Sequence, residues 1–233
     1  MVPVISIGSV KTSGSTTLAL TLAAVAAAAE IPVVLIDAAR DRDLVAWSRK
    51  PGTPTGLTVE EADDEMSLER LVRAARRRGD VAVIDAGDDA GLICAGARLS
   101  DRALIPVRFS PLSAYAAVAT DRMLAADAMK GRRGRDIAFV ASAVTTIPSR
   151  VARSIEAMIE ASETPRLTIG LVQRAAYEAP FLNGGTLFTL DEAFAPGLDR
   201  ARAEAASLAY EVGLLGRLQS QSRDVDNRER QAA

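Results

Sequence analysis

Three short stretches of this chain hold side chains that could do chemistry on an anion. The first is Gly8-Ser9-Val10-Lys11-Thr12-Ser13-Gly14-Ser15-Thr16-Thr17. It follows an apolar run, Val4 to Ile7, and leads straight into a stretch with helical spacing. A loop of small residues entering a helix presents backbone N–H groups and the positive end of the helix dipole, which together suit phosphate. Thr16 sits where a hydroxyl can reach a divalent cation. The other two stretches end in carboxylates: Pro32-Val33-Val34-Leu35-Ile36-Asp37 and Val81-Ala82-Val83-Ile84-Asp85. The carboxyl edge of neighbouring parallel strands is where a phosphoryl-transfer site keeps its cation-binding and switch residues. Each reading has a plain alternative. The loop also fits an ordinary strand-to-helix turn with a Ser or Thr N-cap, and a strand-terminal Asp can simply cap the next helix.

Composition narrows the chemistry further. The chain has 233 residues, no histidine, and Cys94 as its single cysteine. A histidine relay, a Cys/His zinc site and an internal disulfide are therefore excluded. Lysine occurs only as Lys11, Lys50 and Lys130, so the 28 basic residues are mostly arginine, set against 30 acidic ones for a net charge of -2. With 48% apolar and 25% charged residues the chain is globular in type. The N-terminal Met1-Val2-Pro3 lacks a basic signal region, and the apolar run Leu18 to Ala29 falls short of the ~20 residues that span a bilayer. A cytoplasmic protein without membrane contact is expected.

The elements that must position these groups alternate. Strands are expected at Val4–Ile7, Pro32–Asp37, Val81–Asp85, Arg102–Val107, Ile137–Val144 and Leu167–Val172. Helices are expected over Ser15–Ala29, Thr58–Arg78, Ser113–Met129, Pro148–Ala161 and Ala201–Leu218. Thr58 and Glu61 have capping-box spacing, and Gly79 follows three arginines as a helix stop. Cys94 reads as a buried helix residue, and Trp47 as packing on a helix after the second strand. Continuous apolar strands alternating with helices predict an α/β fold, a mostly parallel central sheet flanked by helices on both faces. Residues 1–218 are expected to form one domain, followed by a polar, flexible tail over 219–233.

These motifs, in their order, resemble the ParA/MinD family of deviant P-loop ATPases, whose loop reads K-G-G-x-G-K-[ST]-[ST]. Val10-Lys11-Thr12-Ser13-Gly14-Ser15-Thr16-Thr17 is similar to that loop, and Val34-Leu35-Ile36-Asp37-Ala38-Ala39 to the family's strand ending D-x-D. Val83-Ile84-Asp85 resembles its Walker B strand. Ala103 to Val107 with Ser110-Pro111-Leu112 resembles the next strand and loop. Arg174-Ala175-Ala176-Tyr177-Glu178-Ala179-Pro180 with Gly184 and Gly185 is similar to the ParA segment R-x-A-x-x-E-A-P-x-x-G. The small relatives acting in plasmid partition and in conjugative or T-DNA transfer look most alike.

The resemblance implies a nucleotide-dependent, dimerising switch with ATP and Mg²⁺ as cofactors. It places Lys11, Thr12, Ser13, Gly14, Ser15, Thr16 and Thr17 around the nucleotide, Thr16 and Asp85 at Mg²⁺, and Asp37 with Lys11 in catalysis. It implies a homodimer, and as partners non-specific DNA and a ParB-like or relaxosome protein. Three departures stand out. Ser15 replaces the phosphate lysine, Ala39 replaces the second Asp of D-x-D, and Lys11 lies one residue closer to Gly14 than the signature lysine. Losing one charged transition-state contact costs several powers of ten in rate, so slow or absent hydrolysis is implied. A pseudo-ATPase scaffold that does not turn over nucleotide is the alternative. Lys130, Arg132, Arg133 and Arg135 form the densest basic cluster, with Arg150 and Arg153 nearby. The cluster suits DNA phosphate, and equally a solvated loop.

Overall fold

The computed structural model describes residues 2–11, 13–129 and 136–215. Six strands form one parallel sheet: β1 (Val4–Ile7), β2 (Val33–Asp37), β3 (Leu57–Glu61), β4 (Val81–Asp85), β5 (Arg102–Val107) and β6 (Ile137–Ala141), in the order β3-β2-β4-β1-β5-β6. The helices are α1 (Ser15–Ala28), α2 (Asp43–Ser48), α3 (Glu65–Arg78), α4 (Ala90–Leu99), α5 (Pro111–Ala128), α6 (Arg150–Glu160), α7 (Ala175–Asn183) and α8 (Leu198–Val212). This is the expected α/β architecture.

Every residue of β1, β2 and β4 is buried, which is why these strands read as unbroken apolar runs. Alternate residues feed two cores. Val33 and Leu35 of β2 join α1, α7 and α8 on one face, and Val34 and Ile36 join α3, α4 and α5 on the other. α1 is covered on all sides: Leu18 through Ala26 are buried, because α8 closes over the face that the sheet leaves open.

Several expectations change. Thr58–Arg78 is not one helix. Leu57–Glu61 is the edge strand β3, paired in register with Val33–Asp37. Thr58 and Glu61 form no capping box; the box is made by Asp64 and Ser67, each accepting from the other's end of the turn. Leu167–Val172 does not become a sixth strand. Leu167 N and Leu171 N donate to Phe139 O and Ala141 O of β6 at 2.8 and 2.9 Å, but the intervening amides of Thr168 and Ile169 donate to the Glu211 carboxylate at 2.6 and 2.8 Å, so only isolated bridges form. β6 ends at Ala141, not Val144, since Ala143 turns into the left-handed region at φ 51°. The last helix starts at Leu198 and stops at Val212, where Gly213 adopts φ 86°. α7 was not foreseen, and it holds Pro180 inside it. Cys94 does lie on a helix, α4, but is half-buried. Trp47 lies in α2, fully buried, and its indole N–H donates to Gly185 O at 2.9 Å. The basic cluster Lys130, Arg132, Arg133 and Arg135, Thr12, and the tail over 219–233 lie outside the described residues.

Candidate functional site

β1 runs at the centre of the sheet, and the loop that follows it is pinned on three sides. Gly8 N donates to Leu104 O of β5 at 3.2 Å and Ser9 N to Gly87 O after β4 at 3.1 Å. Val10 N donates to the Thr120 hydroxyl of α5 at 3.0 Å. Further along, the Ser142 hydroxyl donates to Ser13 O at 2.6 Å, and the Ser13 hydroxyl lies 3.3 Å from that of Ser113. The loop then turns through Gly14 at φ 88° into α1. A side chain is disfavoured there whatever the space.

The entry to α1 is left open. Among the described residues no side chain caps it, and its first internal bond is Leu18 N to Gly14 O at 3.0 Å. The amides of Ser15, Thr16 and Thr17 therefore have no partner within the helix. By contrast α3, α4 and α6 are closed by the side chains of Asp64, Asp89 and Ser149. The alternative of an ordinary Ser or Thr cap on α1 does not hold.

Asp37 and Asp85 are register partners on adjacent strands, both with no exposed surface. Their carboxylates are used differently. Asp37 accepts from Ala39 N at 3.2 Å, Leu44 N at 3.1 Å and Val45 N at 3.0 Å. It caps α2 from across the loop, since Arg42 at the formal N-cap is left-handed and its side chain does not cap. Burial raises the Asp37 carboxyl pKa, and these amides and Arg42 oppose the rise. Asp85 Oδ1 accepts from Gly87 N at 3.1 Å. Its Oδ2 is buried and has no hydrogen-bond partner. Desolvation pushes this carboxyl up to about 6. The hydroxyls of Thr16 and Ser15 and the Gly87 amide pull it down, and the charge of Asp37 adds to the rise.

A buried carboxylate oxygen without a partner, beside a threonine hydroxyl at an uncapped helix entry, fits a hard divalent cation shared with phosphate. Mg²⁺ is usually held by one or two carboxylates plus phosphates and water, without an all-protein cage. Among the described residues no group of three or more acidic, Cys or His side chains could hold a metal alone. A cation here would take its other ligands from a bound phosphate and water.

Beside the loop lies a cleft, open to solvent, whose lining includes Gly14, Thr17, Arg108, Ser142, Gln173 and Arg174. Arg174 is committed: its guanidinium grips the Glu204 carboxylate, with Nη2 to Oε1 at 2.5 Å. The Tyr177 hydroxyl lies 3.0 Å from Glu204 Oε2 and 3.1 Å from Ala201 O. Glu204 is shifted two ways. Burial pushes its carboxyl up, the hydrogen bonds from Arg174 and Tyr177 pull it down, and the net is below its usual range. This network ties α7 to α8 and fixes one wall of the cleft. The segment singled out in the sequence, Arg174 to Gly185, thus serves twice. Its start lines the cleft, and its end locks the chain after α2, where Gly185 N donates to Pro51 O at 2.9 Å.

Of the expected site residues, Ser13, Gly14, Ser15, Thr16 and Thr17 come together with Asp85. Lys11 is exposed, and its ammonium makes no ion pair among the described residues. Lys50 is elsewhere, donating to the carbonyls of Phe181 and Leu182 at the end of α7. Ala39 packs against Gly87, where a Cβ would lie 2.9 Å from the Ala39 Cβ. Sequence reasoning missed Arg108, Ser142 and Gln173. Arg108 was within reach, because it directly follows β5 at the same sheet edge as Asp37 and Asp85.

No protein-family model and no curated protein matches the sequence. Solved structures do match. McdA from Cyanothece superposes with a TM-score of 0.73 at 16% identity over 90% of this chain and 100% of that one. A variant of McdA, D38A, has been solved with ATP. The cell division protein MinD from Aquifex aeolicus gives 0.63 at 20% identity over 88% and 95%. A Borrelia burgdorferi B31 protein described as a plasmid partition protein, bound to AMPPNP, gives 0.62 at 13% identity over 90% and 98%. The chain has the fold of ParA/MinD-type P-loop ATPases. No helix among the described residues is long and apolar enough to cross a membrane.

Proposed function

We propose that this chain is an ATP-binding, dimerising switch of the ParA type, with Mg²⁺ as its metal and with slow or absent hydrolysis. The observation that carries the reading is the buried Asp85 Oδ2 without a hydrogen-bond partner, on a carboxylate close to the Thr16 hydroxyl at the open entry of α1. In this reading the amides of Ser13 to Thr17 cradle phosphate, with the Thr12 position completing the loop. Thr16 and Asp85 hold the metal, which when bound neutralises charge on the phosphate oxygens. Asp37 anchors the loop from 38 to 45, so that the first switch segment keeps its shape. Lys11, exposed at the loop tip, reaches phosphate from its own subunit or across a dimer. Ser15 and Ala39 leave the phosphates without a loop cation and the attacking water without a second carboxylate, which supports slow turnover.

The likeness to proteins of partition and positioning supports the same role here, in DNA partition, cargo positioning or conjugative transfer. The partners would be a ParB-like or relaxosome protein and, through Lys130, Arg132, Arg133 and Arg135, non-specific DNA. Arg150 and Arg153 are exposed on α6 and are counted with that cluster in this reading. The second reading, a scaffold that does not turn over nucleotide, is favoured by one specific fact: all three amides around Asp37 already occupy its carboxylate.

Calorimetric titration of the protein with ATP, with and without Mg²⁺, tests the reading, followed by phosphate release on the same sample. Binding with little or no release is expected. No binding at millimolar ATP would remove the switch. A gel shift with and without ATP tests DNA, and no shift at low salt would strike it from the partners.

A further inference from the structure

We propose that Arg108 is the cation that serves the nucleotide's phosphates in place of the lysine missing from the loop. The proposal rests on the nucleotide-binding reading above. Arg108 directly follows β5, and its amide donates to the Ser113 hydroxyl at 2.9 Å, which fixes where its side chain departs. That same Ser113 hydroxyl lies 3.3 Å from the Ser13 hydroxyl, so the backbone that carries Arg108 is tied to the phosphate loop itself. Its side chain lines the cleft together with Gly14 and Thr17, the two ends of the α1 entry.

Charge makes the assignment specific. The cleft is lined by three charged side chains, Arg108, Arg174 and Glu178. Arg174 is neutralised by Glu204. Asp85 and Asp37 lie beneath the loop entry. Without Arg108 a polyanion entering here would meet a wall of net negative charge. The Arg108 guanidinium is exposed and makes no hydrogen bond or ion pair among the described residues, so it is available to a ligand. A guanidinium is always charged and offers a planar fork of donors suited to two phosphate oxygens. Reaching in from β5, it supplies from a neighbouring strand what Ser15 cannot supply from the loop.

The test compares wild type, Arg108→Ala, Arg108→Lys and the double variant Arg108→Ala with Ser15→Lys, by calorimetry with Mg·ATP. The unliganded unfolding temperature checks that each variant is folded. Arg108 is exposed, so Arg108→Ala is expected to melt with the wild type. It is expected to bind Mg·ATP about tenfold or more weakly, with Arg108→Lys recovering part of the loss. The Ser15→Lys change is expected to restore binding to the Arg108→Ala background. If wild type binds no Mg·ATP, the nucleotide reading fails and this proposal with it. If wild type binds and Arg108→Ala binds equally, Arg108 alone is refuted. Failure of Ser15→Lys to rescue a folded Arg108→Ala protein would show that charge is not what Arg108 supplies, and would equally overturn the proposal.

Discussion

Asp37 and Asp85 end adjacent strands, sit opposite each other in register, and are equally buried. They have opposite environments. Asp37 is met by three amides that turn around it, so its charge is satisfied by the protein's own backbone. Asp85 accepts from one amide, with the Thr16 and Ser15 hydroxyls close by, and its Oδ2 has no hydrogen-bond partner among the described residues. The same residue type at the same sheet edge is structural on β2 and unfinished on β4. A buried charge left unfinished is costly unless something else pairs it, and the uncapped entry of α1 lies beside it. In the proposed reading, function lies in what the fold leaves unsatisfied, more than in the mere presence of a carboxylate.

The sharpest way to break the comparison is to neutralise each aspartate and measure Mg·ATP affinity. Asp85→Asn is expected to lose the Mg²⁺-dependent part of the affinity, about 10–100-fold or more, the scale of losing even a supporting group of a metal site. Thr16→Ala should follow it in direction. Unchanged affinity in Asp85→Asn would place the metal elsewhere.

Stability separates the two sites by sign. Asp37→Ala strands three amide donors and is expected to destabilise the unliganded protein by about 3 kcal/mol, read as a lower denaturant midpoint. Asp85→Asn removes a buried, under-solvated charge. A carboxyl raised from 3.8 to about 6 corresponds to roughly 3 kcal/mol of cost at neutral pH, so this variant is expected to be more stable than wild type without ligand. Two losses of similar size would erase the distinction between the sites.

The pH dependence follows from the same shift. Between about pH 4 and pH 6 the native protein keeps a proton on Asp85 that the unfolded chain has released, so stability falls as pH rises across that window and levels above it. Asp37, also raised, acts in the same direction. Asp85→Asn should flatten most of the slope. Denaturant melts from pH 4 to 8 would show it, and an equal slope in the variant would assign the proton to another group.

The smallest effect is expected at Ala39, which links the two strand ends by packing on Gly87. Ala39→Asp alone should change phosphate release less than about twofold, because the phosphates still lack a loop cation. Paired with Ser15→Lys it should raise release well above wild type, by about tenfold or more. A large gain from Ala39→Asp alone would mean that water positioning, and not phosphate charge, limits turnover.

The central strands, the loop after β1 and both aspartates were legible in the sequence, because a strand buried on two faces and a loop of small residues leave unambiguous patterns. β3 was not. At the sheet edge its alternation Leu57-Thr58-Val59-Glu60-Glu61 runs straight toward a true helix, and Thr58 with Glu61 mimics a cap that Asp64 and Ser67 make. Leu167–Val172 looked like a strand because its residues are mostly apolar, yet the Glu211 carboxylate, 42 residues from Ile169, takes the two amides at its middle. The cleft was illegible for the same reason. Arg108, Ser142 and Arg174 meet only through the order in which β5, β6 and the chain before α7 reach one edge. The roles of Asp37 and Asp85 also needed structure, since sequence shows a carboxylate but not how many donors surround it.

The most direct test of the unfinished site is a crossover in thermal unfolding at pH 7.5, with wild type and Asp85→Asn each melted alone and with saturating Mg·ATP. Without ligand the variant is expected to melt higher. With Mg·ATP the wild type is expected to rise and the variant to rise much less, because the stabilisation grows with how far the ligand concentration exceeds the dissociation constant. Equal ligand-induced rises in both proteins, or none in the wild type, would contradict the account.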